Sequence, residues 1–160
     1  YGQHSKAKSR YNNAARIAQR ELEKAENQAD KSALENKILQ AKIQAAITSY
    51  EIGKPEDGSQ IIQALAESNP DHAMLDYATG QIAKFNDDSE GAISAFTIAL
   101  GKNPRLSVAA VALSELYLKL DQRDQAVSTL EKYLSQNRYD RQTRKKLNAL
   151  KNQSKESSPQ

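Results

Sequence analysis

His4 and His72 are the only imidazoles in the chain, and there is no cysteine. Zinc and similar metals ask for several His or Cys ligands at characteristic spacings, and neither histidine stands at helical spacing from the other. His72 follows Asp71 at the start of a helical pattern and reads as a solvated boundary residue. Without cysteine there are neither disulfides nor thiol nucleophiles. Serines are numerous, yet none has a base placed to activate it. No glycine-rich phosphate loop is present. The carboxylates are scattered and usually have Lys or Arg three or four residues away, as with Arg20, Glu23 and Lys24. Such pairs belong to solvated helix faces and contribute about 0.2–0.5 kcal/mol each. The chain is therefore expected not to be an enzyme and to need no cofactor and no metal.

Charge adds one further option. From Arg138 to Lys155 the sequence holds seven Lys or Arg, which raises nucleic acid or an anionic membrane as partners. Tyr139 is the only aromatic there, and the whole chain is only mildly basic, at +3 with pI about 9.0. A solvated capping helix is the preferred reading, with no nucleic acid expected. No apolar run approaches the ~20 residues that span a bilayer, so no membrane insertion by this segment is expected. The chain starts at Tyr1 and its one methionine is Met74. The expectation is a processed form or a piece of something longer, with a targeting segment or anchor outside it. Compartment is left open.

The elements that would position any site are helical. Prolines number four and glycines six among 160 residues, and nearly all stand between periodic segments rich in Ala, Leu, Gln, Glu and Lys. No run alternates as a strand would. Within this all-α pattern a repeat is visible. Asn69-Pro70 is followed 34 residues later by Asn103-Pro104, and Asn137-Arg138 comes 34 after that. Units 39–72, 73–106 and 107–140 then align. Ala46, Gly80 and Ser114 form one small column, and Gly58, Ala92 and Ala126 another. Ile62, Phe96 and Leu130 form a large apolar column. Close helix crossings need small residues on both helices, with a bulky one filling the space beside them. Gly80 facing Ala92, with Phe96 alongside, meets that need. The recurrent Asn is expected to close the second helix in a left-handed conformation. Asp88 or Ser89 and Asp121 are expected N-caps.

This pattern resembles the tetratricopeptide repeat (TPR) family, a 34-residue helix–turn–helix unit. Unit 73–106 carries Gly80, Ala92, Phe96, Ala99 and Pro104 at the family's spacings, with Asp76 and Ala83 where aromatics are usual. Unit 107–140 keeps Leu113, Tyr117, Ala126 and Leu130, but has Ser114 for the glycine and Arg138 for the proline. Unit 39–72 keeps Ala46, Gly58, Ile62 and Pro70. The resemblance implies a right-handed superhelix of stacked antiparallel helix pairs. Residues 1–30 are expected to hold an N-terminal helix, as a degenerate half-repeat or cap; a partner-docking segment is the alternative. Residues 139–152 read as a C-terminal capping helix with Leu147 and Leu150 inward and Arg141, Arg144, Lys145 and Lys146 outward. Residues 153–160 lack apolar side chains and are expected to be disordered.

The resemblance also implies a concave groove, lined by the first helix of each unit, in which a protein or peptide binds. Its side chains are then Tyr50, Met74, Tyr77, Gln81, Lys84, Glu115 and Lys119, with Ile43, Ile47 and Val111 either beside them or packed in the core. Ile43 and Ile47, Tyr77 and Gln81, and Val111 and Glu115 occupy the places where some members hold a terminal carboxylate with Lys and Asn. These first helices thus supply no cationic clamp. The functional expectation is a scaffold or adaptor, in a setting such as a bacterial envelope assembly. A small chaperone for secreted proteins, a regulatory module from a larger enzyme, and a homo-oligomer built through an open repeat face are the alternatives.

Overall fold

The structure is a computed structural model that describes residues 2–156, with side chains described through residue 152. Among the described residues there are eight helices: α1 (Gly2–Leu22), α2 (Gln28–Glu51), α3 (Pro55–Ser68), α4 (Ala73–Phe85), α5 (Ser89–Lys102), α6 (Ser107–Lys119), α7 (Arg123–Gln136) and α8 (Arg141–Glu156). They pack sequentially: α1 on α2, α2 on α3 and α4, α4 on α5, α5 on α6, α6 on α7, and α7 on α8. The 34-residue register of the sequence falls on the helix pairs α2–α3, α4–α5 and α6–α7.

The two small columns lie where each pair crosses. Ala46, Ala92, Ser114 and Ala126 are wholly buried, and Gly58 and Gly80 are buried too. A Cβ at Gly58 would stand 2.7 Å from the Ala46 carbonyl oxygen, and one at Gly80 would stand 2.5 Å from the Phe96 ring. Gly80 therefore accommodates the Phe96 ring itself. In the third pair Ser114 replaces glycine, and its hydroxyl donates to the Ala126 carbonyl at 3.1 Å, so the buried polar group is satisfied. Phe96 and Leu130 are fully buried; Ile62 is only half-buried.

The turns correct two expectations. The left-handed residues are Gly53 (φ 73°), Asp87 (φ 56°) and Asp121 (φ 56°), one in each turn within a pair, again 34 apart. The recurrent asparagines are not left-handed: Asn69, Asn103 and Asn137 have φ of −142°, −137° and −124°. Asn69 and Asn137 close their helices with side chains instead. Asn69 Nδ2 donates to the Leu65 carbonyl at 3.1 Å, and Asn137 Nδ2 to the carbonyls of Tyr133 (2.9 Å) and Pro104 (2.8 Å). The Leu65 and Tyr133 carbonyls also accept the backbone N–H of the same asparagine, at 2.9 and 3.1 Å, so each amide adds a second bond at its helix end. Asp88 does cap α5, accepting from the Gly91 N–H at 2.9 Å. Asp121 caps nothing, because it turns the chain and Gln122 occupies the cap position without a side-chain bond.

Asp76 is held by a strap. Lys102 reaches from the end of α5 to within 2.9 Å of Asp76 Oδ2 and donates to the Pro70 carbonyl at 3.2 Å. That carboxylate oxygen is sealed from water, so losing Lys102 leaves a charge without its partner. Lys102→Ala is expected to reduce stability by about 1–2 kcal/mol in urea unfolding. A change within about 0.5 kcal/mol, as for an exposed pair, would show that solvent already screens the strap.

At the ends, Asn27 caps α2 by accepting from the Asp30 N–H at 2.8 Å. The helix expected over residues 1–30 thus ends at Leu22, and residues from Gln28 onward belong to α2. Ala15 and Ala18 are buried, whereas Ala14 is exposed. α1 runs antiparallel to α2, with His4 Nδ1 3.1 Å from Glu51 and Lys8 Nζ 2.8 Å from Asp57 on α3. Lys8 holds the Asp57 carboxyl below its usual range. α8 buries Leu147 and Leu150 and continues to Glu156, so helix replaces the expected disorder over 153–156. Residues 157–160 lie outside the described residues.

Candidate protein-binding groove

α4, α6 and α8 enclose a groove of about 810 Å³. α4 contributes Tyr77 and Gln81, one helical turn apart. α6 contributes Ser107, Val108, Val111, Ala112 and Glu115, the i, i+3/i+4, i+7 set of one face. α8 contributes Gln142, Thr143, Lys145 and Lys146, with Asp140 at its base. Among these, Val108 is 44% exposed, and Val111 and Tyr77 are half-buried, which makes an apolar floor open to a ligand.

The polar groups are organised. Gln81 Nε2 donates to the Tyr77 hydroxyl at 2.8 Å. Burial pushes the Tyr77 phenol above its usual range; the Gln81 bond opposes this and the Glu115 carboxylate adds to it. Glu115 is paired with Lys146 across the groove. Asp140 Oδ1 accepts from the Thr143 N–H at 3.0 Å, while its Oδ2 accepts from the hydroxyls of Thr143 (2.9 Å) and Tyr133 (3.0 Å). The Thr143 N–H is the main reason the Asp140 carboxyl lies below its usual range. One aspartate thereby starts α8, ties it to α7 and sets that wall of the groove.

Of the residues singled out from sequence, Tyr77, Gln81 and Glu115 come together here. Tyr50 stands elsewhere: its ring stacks on Phe85 (centroids 6.1 Å apart, planes at 22°), its edge lies against Gly58, and its hydroxyl is 2.5 Å from Ser59 Oγ. Met74 packs on the core of the first unit, with Ile43 and Ile47 inside that core. Lys84 is half-buried outside the groove lining. Lys119 is exposed, 3.7 Å from Asp87. Of the repeat positions, Ala99 is fully buried, and Pro104 is exposed with its carbonyl taken by Asn137. Sequence reasoning did not assign Gln142, Thr143, Lys145 and Lys146 to the groove. Lys145 and Lys146, expected on the outward side of the cap, line the groove, because Leu147 and Leu150 anchor that flank of α8 against α7. His72, read as solvated, is a half-buried N-cap whose Nδ1 accepts from the Met74 N–H at 3.3 Å.

The structure is similar to that of a thermophilic TPR protein from Thermus thermophilus, with a TM-score of 0.62 over 89% of this chain and 91% of that one, at 19% identity. The fold is the TPR fold. A second solved structure, the MamA protein, matches with a TM-score of 0.50 over 82% of this chain and 73% of that one, at 17% identity. At such identities the likeness concerns the TPR architecture alone. No family model matches the sequence, and no curated protein matches it. Among the described residues no helix is long and apolar enough to cross a membrane.

Proposed function

We propose that this chain is a non-catalytic interaction scaffold that holds a segment of another protein in the groove between α4, α6 and α8, within a larger assembly such as one at a bacterial envelope. The observation that carries this reading is the groove's composition. An apolar floor, exposed at Val108 and half-buried at Val111 and Tyr77, is bordered by amide, hydroxyl and ionic side chains from three helices. Apolar contact area supplies affinity, and a few placed polar groups supply orientation. Helix walls keep the cost of ordering the site low.

The experiment is affinity capture of partners from the source cells by the intact chain, by a Tyr77→Ala/Gln81→Ala double variant and by Val108→Arg. Tyr77 also packs on Phe96, so circular dichroism must confirm that the double variant is folded. Val108 is exposed enough for its replacement to leave the core intact. Partners are expected to fall at least about tenfold with both variants, the consequence of losing roughly 1.4 kcal/mol at a central contact. Equal recovery with all three proteins would exclude the groove.

A further inference from the structure

The charges of the groove are nearly all spent within the protein. Glu115 is engaged by Lys146, and Asp140 accepts three hydrogen bonds from Thr143 and Tyr133. Lys145 differs: it is exposed, it lines the groove, and it has no carboxylate partner among the described residues. It is borne on the same helix as Lys146 and stands across the groove from the apolar floor of α6.

We infer that the segment bound in this groove presents an apolar side chain to Val108 and Val111 and, next to it, a carboxylate to Lys145, which is thus the residue that selects for an acidic ligand. The inference rests on the binding reading above and adds the chemistry of the partner. The charge balance favours a single carboxylate over a polyanion. Glu115 and Asp140 line the same groove, and closely spaced phosphates laid along it would meet both. The feature is absent from the first helices of the units and is supplied entirely by the capping helix.

The test uses a random twelve-residue peptide library displayed on phage, selected on the intact chain. Selected peptides are expected to pair apolar residues with Asp or Glu. For a synthetic peptide of this kind, changing its acidic residue to the amide should weaken binding about fivefold by fluorescence polarisation, the upper range for a solvent-accessible ion pair. The same change should have no effect on binding to Lys145→Ala, and Lys145→Glu should prefer the amide form. All Lys145 variants should melt like the parent, since the side chain is exposed. Peptides lost on Val108→Arg but indifferent to the acid-to-amide change would overturn the role of Lys145 while leaving the groove reading in place. Peptides that discriminate acid from amide on the parent yet bind Val108→Arg unchanged would move the site away from the groove. A library that yields no peptide sensitive to Val108→Arg would count against both.

Discussion

Phe96→Ala is expected to remove about 3–5 kcal/mol of stability, the range for deleting a fully buried aromatic side chain. Phe96 has no solvent exposure, meets Tyr77 at 5.9 Å between ring centroids, and occupies the space that Gly80 leaves open. A domain of this size is held by only about 5–15 kcal/mol, so the urea midpoint should fall by a large fraction of its value. The contact between the ring and the glycine has its own signature. Gly80→Ala would put a methyl group 2.5 Å from the ring and is expected to cost about 1–3 kcal/mol as overpacking. Combined with Phe96→Leu, which withdraws the ring, the two losses should sum to less than their separate values. Strict additivity would mean that Gly80 and Phe96 do not share one crossing.

Asp140→Ala is expected to cost about 2–3 kcal/mol. A helix cap is lost, and the hydroxyl of Thr143, a residue only 2% exposed, is left without its acceptor. The change should be concentrated in α8, read as faster amide exchange over 141–150, and should weaken groove binding because one wall is released. The pH dependence carries a definite sign. The Asp140 carboxyl is depressed in the folded protein, chiefly by the Thr143 N–H. Its contribution is therefore complete above the ordinary carboxylate pKa of about 4 and is lost as pH falls through the lower folded value. Asp140→Asn keeps a good cap, so it should cost less than alanine near pH 7 and should lack this acid-side decline. A parent and an asparagine variant with identical stability profiles between about pH 5 and pH 2 would remove Asp140 from this role.

The repeat was legible because its constraints are local and periodic. Gly58, Gly80, Ala92 and Ala126 are small where backbones meet, and that requirement returns every 34 residues. The turn geometry was less legible. Asn69 and Asn137 can end a helix either by turning left-handed or by folding an amide back on the last carbonyls, and composition does not distinguish the two. The left-handed positions fell to Gly53, Asp87 and Asp121, one in each intra-pair turn. The site was legible only in part. Tyr77, Gln81 and Glu115 follow from helix register alone. Lys145 and Lys146 depend on how α8 rotates against α7, which is set by long-range packing of Leu147 and Leu150 with Leu130 and Leu134. Tyr50 looked available from register but found Phe85 and Gly58, contacts that exist only once the units have stacked.

Because the chain contains no cysteine, a single photoreactive group can be attached at one chosen position. Placed through Val108→Cys on the floor between α4, α6 and α8, it should cross-link the bound polypeptide. Placed through Ser94→Cys on the exposed side of α5, it should not. Cross-linking that arises from Ser94→Cys alone, with Val108→Cys silent in a folded protein, would mean that partners are held on a different face of these stacked helices.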